Sequence, residues 1–295
     1  MHGRHRRAAG AGPGPARKAR LTRPVLAGAV AAGLLATVLL NPAAPVMARL
    51  AARLAAALPT LGLSAHRAMG PGHTAAPAGT MAAVGALFQI SGSGRRAALG
   101  RHFCTGTVVD SPAGDLVLTA AHCVSGRSPG QFAFVPEYRD GRAPDGVWPV
   151  SRVIVDRSWL ATASPADDIA FLIVRRPGRR ASVQSRTGAD RLGFGPPGDP
   201  LVRVSGYPNT AAAPVSCQRR VTAFGPAELR FDCAGFADGT SGSALLANVD
   251  PVTGLGTVIG VIGGYQQGGD TDSVSYADRL SGKAATLYRM ATARS

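Results

Sequence analysis

Three short segments of this 295-residue sequence carry an imidazole, a carboxylate and a hydroxyl. His122 ends the run Thr-Ala-Ala-His, Asp168 begins Asp-Ile-Ala-Phe-Leu, and Ser241 lies within Gly-Thr-Ser-Gly. Nucleophilic acyl transfer needs a hydroxyl, a base within hydrogen-bond reach of it, and a carboxylate that orients the base and stabilises its protonated form. Each segment alone is common in turns and caps, but their joint occurrence in one chain indicates this chemistry.

Short apolar runs separated by turn residues fill the sequence from residue 81 onward. With 38 glycines, 22 prolines and only 17% charged residues, the composition favours turns and short strands over long helices. The predicted strands are residues 84–90, 103–109, 116–120, 131–135, 148–155, 169–174, 201–206, 216–224, 228–233, 244–248 and 258–265. Residues 275–292 have apolar residues at helical intervals and predict one terminal helix. We therefore expect an all-β sandwich or barrel with a C-terminal helix.

The first 80 residues differ from this pattern. Residues 1–23 are basic and rich in Gly, Pro and Ala, and residues 25–40 carry no charge. This apolar run is short for a membrane span and suits the core of a signal peptide. Val46 and Ala48 stand at the −3 and −1 positions of a cleavage site after Ala48, so residues 1–48 are predicted to be a signal peptide, with an uncleaved anchor as the alternative. Residues 49–80 are predicted to be a pro-segment or linker, and residues 81–295 the globular domain.

The four cysteines all lie in the β-rich region; they are Cys104, Cys123, Cys217 and Cys233. An even number behind an export signal indicates two disulfides, and four cysteines allow three pairings. Pairing of sequence neighbours would close loops of 19 and 16 residues, each contributing about 3 kcal/mol. Because none of the cysteines lies in a Cys-x-x-Cys pair, a zinc site is not expected.

The formal charge of +15 is concentrated in the N-terminal third. All 17 acidic residues lie at or after Asp110, whereas 13 of the 32 basic residues precede it. A nucleic-acid-binding domain needs a basic face on its folded part, and the β-rich region is nearly balanced in charge. No Gly-x-Gly-x-x-Gly opens a helix after a predicted strand. We therefore expect neither nucleic-acid nor dinucleotide binding, and no metal or organic cofactor.

Residues 81–295 resemble the chymotrypsin/trypsin-like serine protease family. The family's T-A-A-H-C motif matches residues 119–123, and its D-I-A-L-L-like segment matches residues 168–172. Its G-D-S-G-G-P segment is altered to Gly-Thr-Ser-Gly-Ser-Ala at residues 239–244, and the order His, Asp, Ser is also the family's. An α/β-hydrolase would need Gly-x-Ser-x-Gly and a different order of the three residues.

The resemblance implies two antiparallel six-stranded β-barrels with the catalytic residues between them. It implies that His122 is the general base, that Asp168 holds the tautomer of the imidazole, and that Ser241 is the nucleophile. The backbone amides of Gly239 and Ser241 would form the oxyanion hole. It further implies a disulfide between the cysteine of the His motif and Cys104.

The nucleophile segment resembles that of bacterial secreted members, including glutamyl-endopeptidase-like proteases. Animal members carry an Asp immediately before the nucleophile, which pairs with the new N-terminus after zymogen cleavage. Thr240 occupies that position here, so this activation switch cannot operate. Its hydroxyl is expected either to hydrogen-bond within the loop or to fill space.

Residues 261–265 resemble the strand that pairs with the substrate backbone, although a plain core strand is an alternative. The candidate substrate-binding residues are Ile262, Gly263, Gly264, Tyr265 and Asp238. Asp238 would attract a basic side chain or be a solvated loop charge. Trypsin-like specificity uses an Asp where this chain has Gly235, and Glu-specific relatives use a His where it has Ile262. The sequence therefore supports neither preference.

The sequence as a whole predicts a secreted serine endopeptidase that cleaves protein or peptide substrates through an acyl-enzyme intermediate, as a monomer and without a cofactor. The alternative is a non-catalytic or membrane-tethered cell-surface protein that retains the fold. A membrane partner is expected only if residues 25–40 are retained as an anchor, with the globular domain outside the cell.

Overall fold

The computed structural model describes residues 74–77, 79, 81–91, 98–178, 181–195 and 198–293. The predicted signal peptide at residues 1–48 and most of the predicted linker at residues 49–80 lie outside the described residues. Among the residues that are described, no helix is both long enough and apolar enough to span a bilayer.

The described chain is mainly short strands with a few helical turns. The strands are β1 (Ala76–Pro77), β2 (Val84–Ser91), β3 (Ala98–Val108), β4 (Leu116–Thr119), β5 (Phe132–Pro136), β6 (Trp148–Val155), β7 (Ala170–Val174), β8 (Arg191–Leu192), β9 (Leu201–Gly206), β10 (Val215–Arg220), β11 (Thr222–Phe224), β12 (Glu228–Asp232), β13 (Ala244–Ala247), β14 (Thr257–Ile262) and β15 (Val274–Arg279). The helices are α1 (Ala121–Val124), α2 (Arg157–Thr162), α3 (Gln184–Thr187) and α4 (Gly282–Thr292), and the 3-10 turns are η1 (Pro165–Asp167) and η2 (Tyr265–Gly268).

The N-terminal half is a closed antiparallel barrel in the order β2-β3-β4-β7-β6-β5. Strands β4 and β7 are buried at every position and pair with each other at the register Thr119↔Ala170. The barrel is filled by large apolar side chains that include Leu118, Phe134 and Phe171. Strands β4 and β7 each pair with a neighbouring strand on both edges. The residues that follow β4 and those that precede β7 are therefore held in fixed positions.

The C-terminal half is a curled antiparallel sheet in the order β1-β10-β9-β13-β14-β15-β12-β11, with β8 parallel to β14. Its own core contains Val204, Leu229, Phe231 and Ile262. The prediction of an all-β fold built from two antiparallel β-barrels, with a C-terminal helix, is confirmed, although the second sheet has nine strands in the described chain rather than six. The N-terminal sheet closes as a ring of six strands, whereas the C-terminal sheet is a half-barrel.

The prediction of one helix over residues 275–292 is wrong in its first part. Residues up to Arg279 form β15, which pairs with β12 on one edge and β14 on the other, and α4 begins only at Gly282. Alternate residues of β15, including Ser275 and Ala277, are buried as in a strand. The apolar period was misleading because Leu280, which precedes the helix, packs into the same core as the buried face of α4.

Two other strand predictions also need correction. Predicted strand 216–224 is interrupted at the buried Val221, which separates β10 from β11. Predicted strand 258–265 ends at Ile262, after which the chain passes through two glycines into η2.

The cysteines are paired as sequence neighbours: Cys104 is bonded to Cys123, and Cys217 to Cys233. The first disulfide ties β3 to α1 and thus lies directly beside His122. The second links β10 to the end of β12 in the C-terminal sheet. The pairing implied by the family resemblance for Cys104 and Cys123 is therefore confirmed.

Candidate active site

His122 is positioned by a barrel strand and a disulfide. Strand β4 ends at Thr119, α1 begins two residues later, and the neighbouring Cys123 is bonded to β3. The His122 side chain is only 13% exposed, and its Nδ1 lies 2.7 Å from Asp168 Oδ2. Because a carboxylate can only accept, Nδ1 carries the proton and the lone pair of Nε2 is left to act as a base.

Asp168 is fully buried between η1 and β7 and receives three N–H donors. The His122 backbone amide donates to Oδ1 at 2.8 Å, while the imidazole Nδ1–H and the Gly264 amide donate to Oδ2 at 2.7 and 2.8 Å. Hydrogen bonds from three N–H groups to one charged carboxylate are strong and directional. This carboxylate is therefore held in one orientation by both halves of the molecule.

Gly263 permits this close approach. A Cβ at this position would lie 2.8 Å from Asp168 Oδ2 and 3.3 Å from the Cβ of Ala120. The glycine was singled out in the sequence as a candidate for substrate pairing, but the structure gives it a second role as space for the Asp168 carboxylate. Gly264, another candidate for substrate pairing, donates its backbone amide to that carboxylate.

The segment around Ser241 is fixed by hydrogen bonds within the loop. Thr240 is buried, and its hydroxyl donates to the Ala237 carbonyl at 2.8 Å, so the hydrogen-bonding alternative holds for this residue. The Ser243 hydroxyl donates to the Thr240 carbonyl at 2.6 Å. Two neutral hydroxyls thus fix this loop from within.

Thr105 of the N-terminal barrel also holds this loop. Its hydroxyl donates to the Gly239 carbonyl at 3.0 Å, and its amide donates to the Ser241 carbonyl at 2.8 Å. The same hydroxyl accepts from the Tyr207 amide at 2.9 Å. Sequence reasoning missed this residue, since a Thr in a barrel strand carries no signal of a partner 134 residues away.

The backbone amides of Gly239 and Ser241 donate to no group among the described residues, whereas that of Thr240 donates to the Ala237 carbonyl. Gly239 has φ of 98°, and a Cβ there would lie 2.6 Å from the Tyr207 carbonyl oxygen, so a residue other than glycine would be strained. Two free amides on either side of one residue are the donor arrangement that an oxyanion needs.

The Ser241 hydroxyl donates to the Gln267 carbonyl at 3.4 Å. Within the part of the chain that the structure describes, no hydrogen bond joins it to His122. In substrate-free enzymes catalytic hydrogen bonds are often long or misaligned and tighten when substrate binds.

An open cavity of about 620 Å³ adjoins Ser241. Phe236 and Ile262 contribute apolar surface to it, and the carboxylates of Asp238, Asp270 and Asp272 are exposed at its edge. No described Lys or Arg forms an ion pair with these three acids. The cavity therefore combines an apolar wall with a negatively charged mouth.

The predicted substrate strand is only partly available for pairing. The Gly263 amide donates to the Tyr276 carbonyl at 3.1 Å, and the Tyr265 amide donates to Glu228 Oε1 at 2.5 Å. Burial raises the pKa of Glu228, and the Tyr265 amide partly offsets this. Because the amides of residues 262–265 are used internally, a substrate backbone would have to pair with carbonyl oxygens of this segment.

One group of potential metal ligands occurs among the described residues, formed by Cys104, His122 and Cys123. The two cysteines are joined in a disulfide and so offer no thiolate. A single imidazole that is hydrogen-bonded to a carboxylate remains, and this suits proton transfer rather than zinc binding.

Three comparisons relate the chain to known proteins. A family model described as trypsin matches residues 72–280. The protease Anisep from Arthrobacter nicotinovorans has a TM-score of 0.60 at 22% identity, over 74% of this chain and 98% of its own. The serine protease AL20 from an extremophilic microorganism has a TM-score of 0.60 at 23% identity, over 73% and 99% of the two chains.

A Glu endopeptidase also has this fold, with a TM-score of 0.58 at 17% identity over 75% of this chain and 97% of its own. At such identities the solved structures establish the fold alone. A sequence search of curated proteins found no significant match.

Proposed function

Because the chain belongs to the trypsin family of serine proteases, we propose that it is a secreted endopeptidase that uses His122, Asp168 and Ser241 as its catalytic residues. The observation that carries this proposal is the buried Asp168 carboxylate, which orients His122 through two hydrogen bonds on the side facing away from Nε2. This arrangement supplies a base of defined tautomer beside a loop that contains a hydroxyl.

The proposed reaction proceeds through an acyl-enzyme intermediate. The Ser241 oxygen attacks the substrate carbonyl carbon while Nε2 of His122 takes its proton, and the imidazolium is stabilised by Asp168. The imidazolium then protonates the leaving amine, leaving an acyl-enzyme that a water molecule hydrolyses by the same proton transfers in reverse. The two free amides at residues 239 and 241 would bind the oxyanion in both steps.

Export is part of the proposal. Two disulfides are characteristic of proteins that fold in an oxidising compartment. Together with the basic and then apolar character of residues 1–40 in the sequence, they support secretion with cleavage after Ala48. In this proposal residues 49–80 are a pro-segment or linker, the last part of which, β1, pairs with β10 of the C-terminal sheet.

We expect the folded protein to react with a fluorophosphonate probe, which labels serine residues activated by a neighbouring base. Mass spectrometry of the digested adduct should locate the label on Ser241. Heat-denatured protein serves as the control because it keeps every hydroxyl but loses the geometry. A folded sample that takes up no label would contradict the protease proposal and would favour the alternative of a non-catalytic protein with the same fold.

We propose that the cavity beside Ser241 receives the side chain that precedes the scissile bond, and that acidic side chains are disfavoured there. Three exposed carboxylates at its edge would repel a negative charge, and Ile262 offers it no hydrogen bond. The nucleophile segment resembles that of glutamyl-endopeptidase-like proteases, but this site is not built for a carboxylate.

Two peptides that differ only by Glu or Gln at this position test the expectation. The Glu peptide should have a kcat/KM about tenfold lower at low ionic strength, and the difference should shrink when salt is added. Equal rates, or faster cleavage after Glu, would contradict the assignment of a repulsive cavity mouth.

A further inference from the structure

A second buried carboxyl group lies behind the catalytic pair. Asp278 is in β15, where it is flanked by Glu228 of β12 and Val261 of β14. The residue is 1% exposed, and its Oδ2 has no hydrogen-bond partner among the described residues. A hydrogen bond with the backbone of Asp168 favours its charged form. A carboxyl in such a place needs an explanation, because burying a polar group without a partner is unfavourable.

The groups that face Asp278 are mostly acidic. Asp168 and Asp167 approach from the segment before β7, and Glu228 from the neighbouring strand. A cavity of only about 10 Å³ separates the carboxyl from α4 and is also lined by Asp156 and Lys283. The one nearby cation among these residues, Lys283, is 63% exposed and is bonded to Asp167 at 2.7 Å.

Burial and then the charge of Asp168 raise the pKa of Asp278 to about 8, with smaller contributions from Glu228 and Asp167. At neutral pH the carboxyl is therefore uncharged and still has an oxygen that can accept from the Asp168 backbone amide. In this state it anchors the chain at Asp168 without placing a second negative charge beside it.

We propose that Asp278 is a positioning residue for the catalytic site: its buried carboxyl accepts a hydrogen bond from the Asp168 backbone amide and holds Asp168 against His122. The role rests on the proposed protease function. It explains why a strand residue with no access to substrate is a carboxylic acid. It also makes the rate of the enzyme sensitive to the protonation of a group that never touches the substrate.

The sign of the pH effect follows from charge. In the transition state His122 becomes a cation, and a nearby cation favours the ionised form of Asp278 relative to the free enzyme. The transition state then binds fewer protons than the free enzyme, so kcat/KM rises with pH as Asp278 loses its proton. We expect an additional rise of roughly threefold between about pH 7 and 9.

Two substitutions separate positioning from mere packing. Asp278→Asn keeps a neutral carbonyl acceptor at every pH, so it should retain most of the kcat at pH 7 and lack the alkaline rise. Asp278→Ala removes the acceptor and leaves the Asp168 amide without a hydrogen-bond partner. We therefore expect about tenfold lower kcat with a nearly unchanged KM. The Asn variant therefore rescues the rate that the Ala variant loses.

Stability gives a readout that does not depend on activity. Because the folded state holds the proton up to about pH 8 and the unfolded chain releases it near the ordinary value, the stability that Asp278 contributes is full in acid and is lost as pH rises toward 8. The Asn variant has no such proton. Its Tm relative to the unmodified protein should therefore increase steadily between about pH 4 and 8.

Asp190 supplies the matched control. Its carboxyl is also buried, accepts a backbone amide, from Gly256 at 2.7 Å, and leaves Oδ2 unpartnered within the described chain. Burial raises its pKa to about 7, but its surroundings include Met81 and Leu255 rather than the catalytic residues. Asp190→Asn should change the pH dependence of Tm and leave the pH dependence of kcat/KM as it is.

Superimposable pH–rate profiles for Asp278→Asn and the unmodified enzyme would overturn the proposal, as would full kcat in a folded Asp278→Ala variant. A protein that is inert before any substitution would contradict the protease function itself, and the positioning role with it. The two failures are distinguishable because inactivity of the unmodified protein is measured without any variant.

Discussion

Replacement of Ser241 by Ala is expected to lower kcat by about six orders of magnitude, to the residual level that binding and the oxyanion hole sustain. The substitution removes the atom that forms the acyl-enzyme, and the loop hydrogen bonds around it come from other residues, so the fold should persist. The change is measured as kcat on a peptide amide, with KM expected to stay within a few-fold.

Ser243→Ala is the matched control in the same loop. Its hydroxyl is fully buried and donates to the Thr240 carbonyl, so it cannot reach a substrate. We expect this variant to lose some stability, about 1 kcal/mol for one hydrogen bond, and to keep its activity within tenfold. If Ser241→Ala retains more than a thousandth of the rate while Ser243→Ala abolishes it, the nucleophile has been misassigned.

The fold class could be predicted because its signals are local. Strands such as β4 and β7 are short, apolar and bounded by turn residues, so their type and position follow from the sequence alone. The error at β15 has the opposite origin. Ser275, Tyr276 and Ala277 lack a strong strand pattern, and only pairing with strands on both sides gives the segment its conformation.

The residues of the candidate site also differ in whether the sequence could predict them. His122, Asp168 and Ser241 stand in recognisable local motifs, whereas the groups that hold them are distant in sequence. The amide of Gly264 reaches the Asp168 carboxylate across 96 residues, and the Thr105 hydroxyl reaches the nucleophile loop across 134. A backbone amide carries no residue signature, and a Thr in a strand is ordinary. Such contacts become visible only when the two sheets are assembled.

Asp168→Asn is expected to lower kcat by about four orders of magnitude. The carboxylate accepts from three N–H groups, two of them from His122 and one from Gly264. An amide has only one acceptor oxygen, so its NH₂ group would face at least one of these donors. The imidazole is then better accommodated with its proton on Nε2 and its lone pair toward the amide, which leaves no base beside Ser241.

Asp167→Asn tests the same change of charge one residue away. Asp167 is buried as well, but its hydrogen-bond partners are Lys283 and Ser158, and among the described residues it forms no hydrogen bond with the imidazole. Because Lys283 is largely exposed, this ion pair is screened by solvent, and we expect only a few-fold change in kcat. Comparable losses in the two variants would mean that negative charge in general, rather than the tautomer imposed by Asp168, sustains the rate. A loss confined to Asp168→Asn, with KM unchanged, is the result that the three hydrogen bonds require.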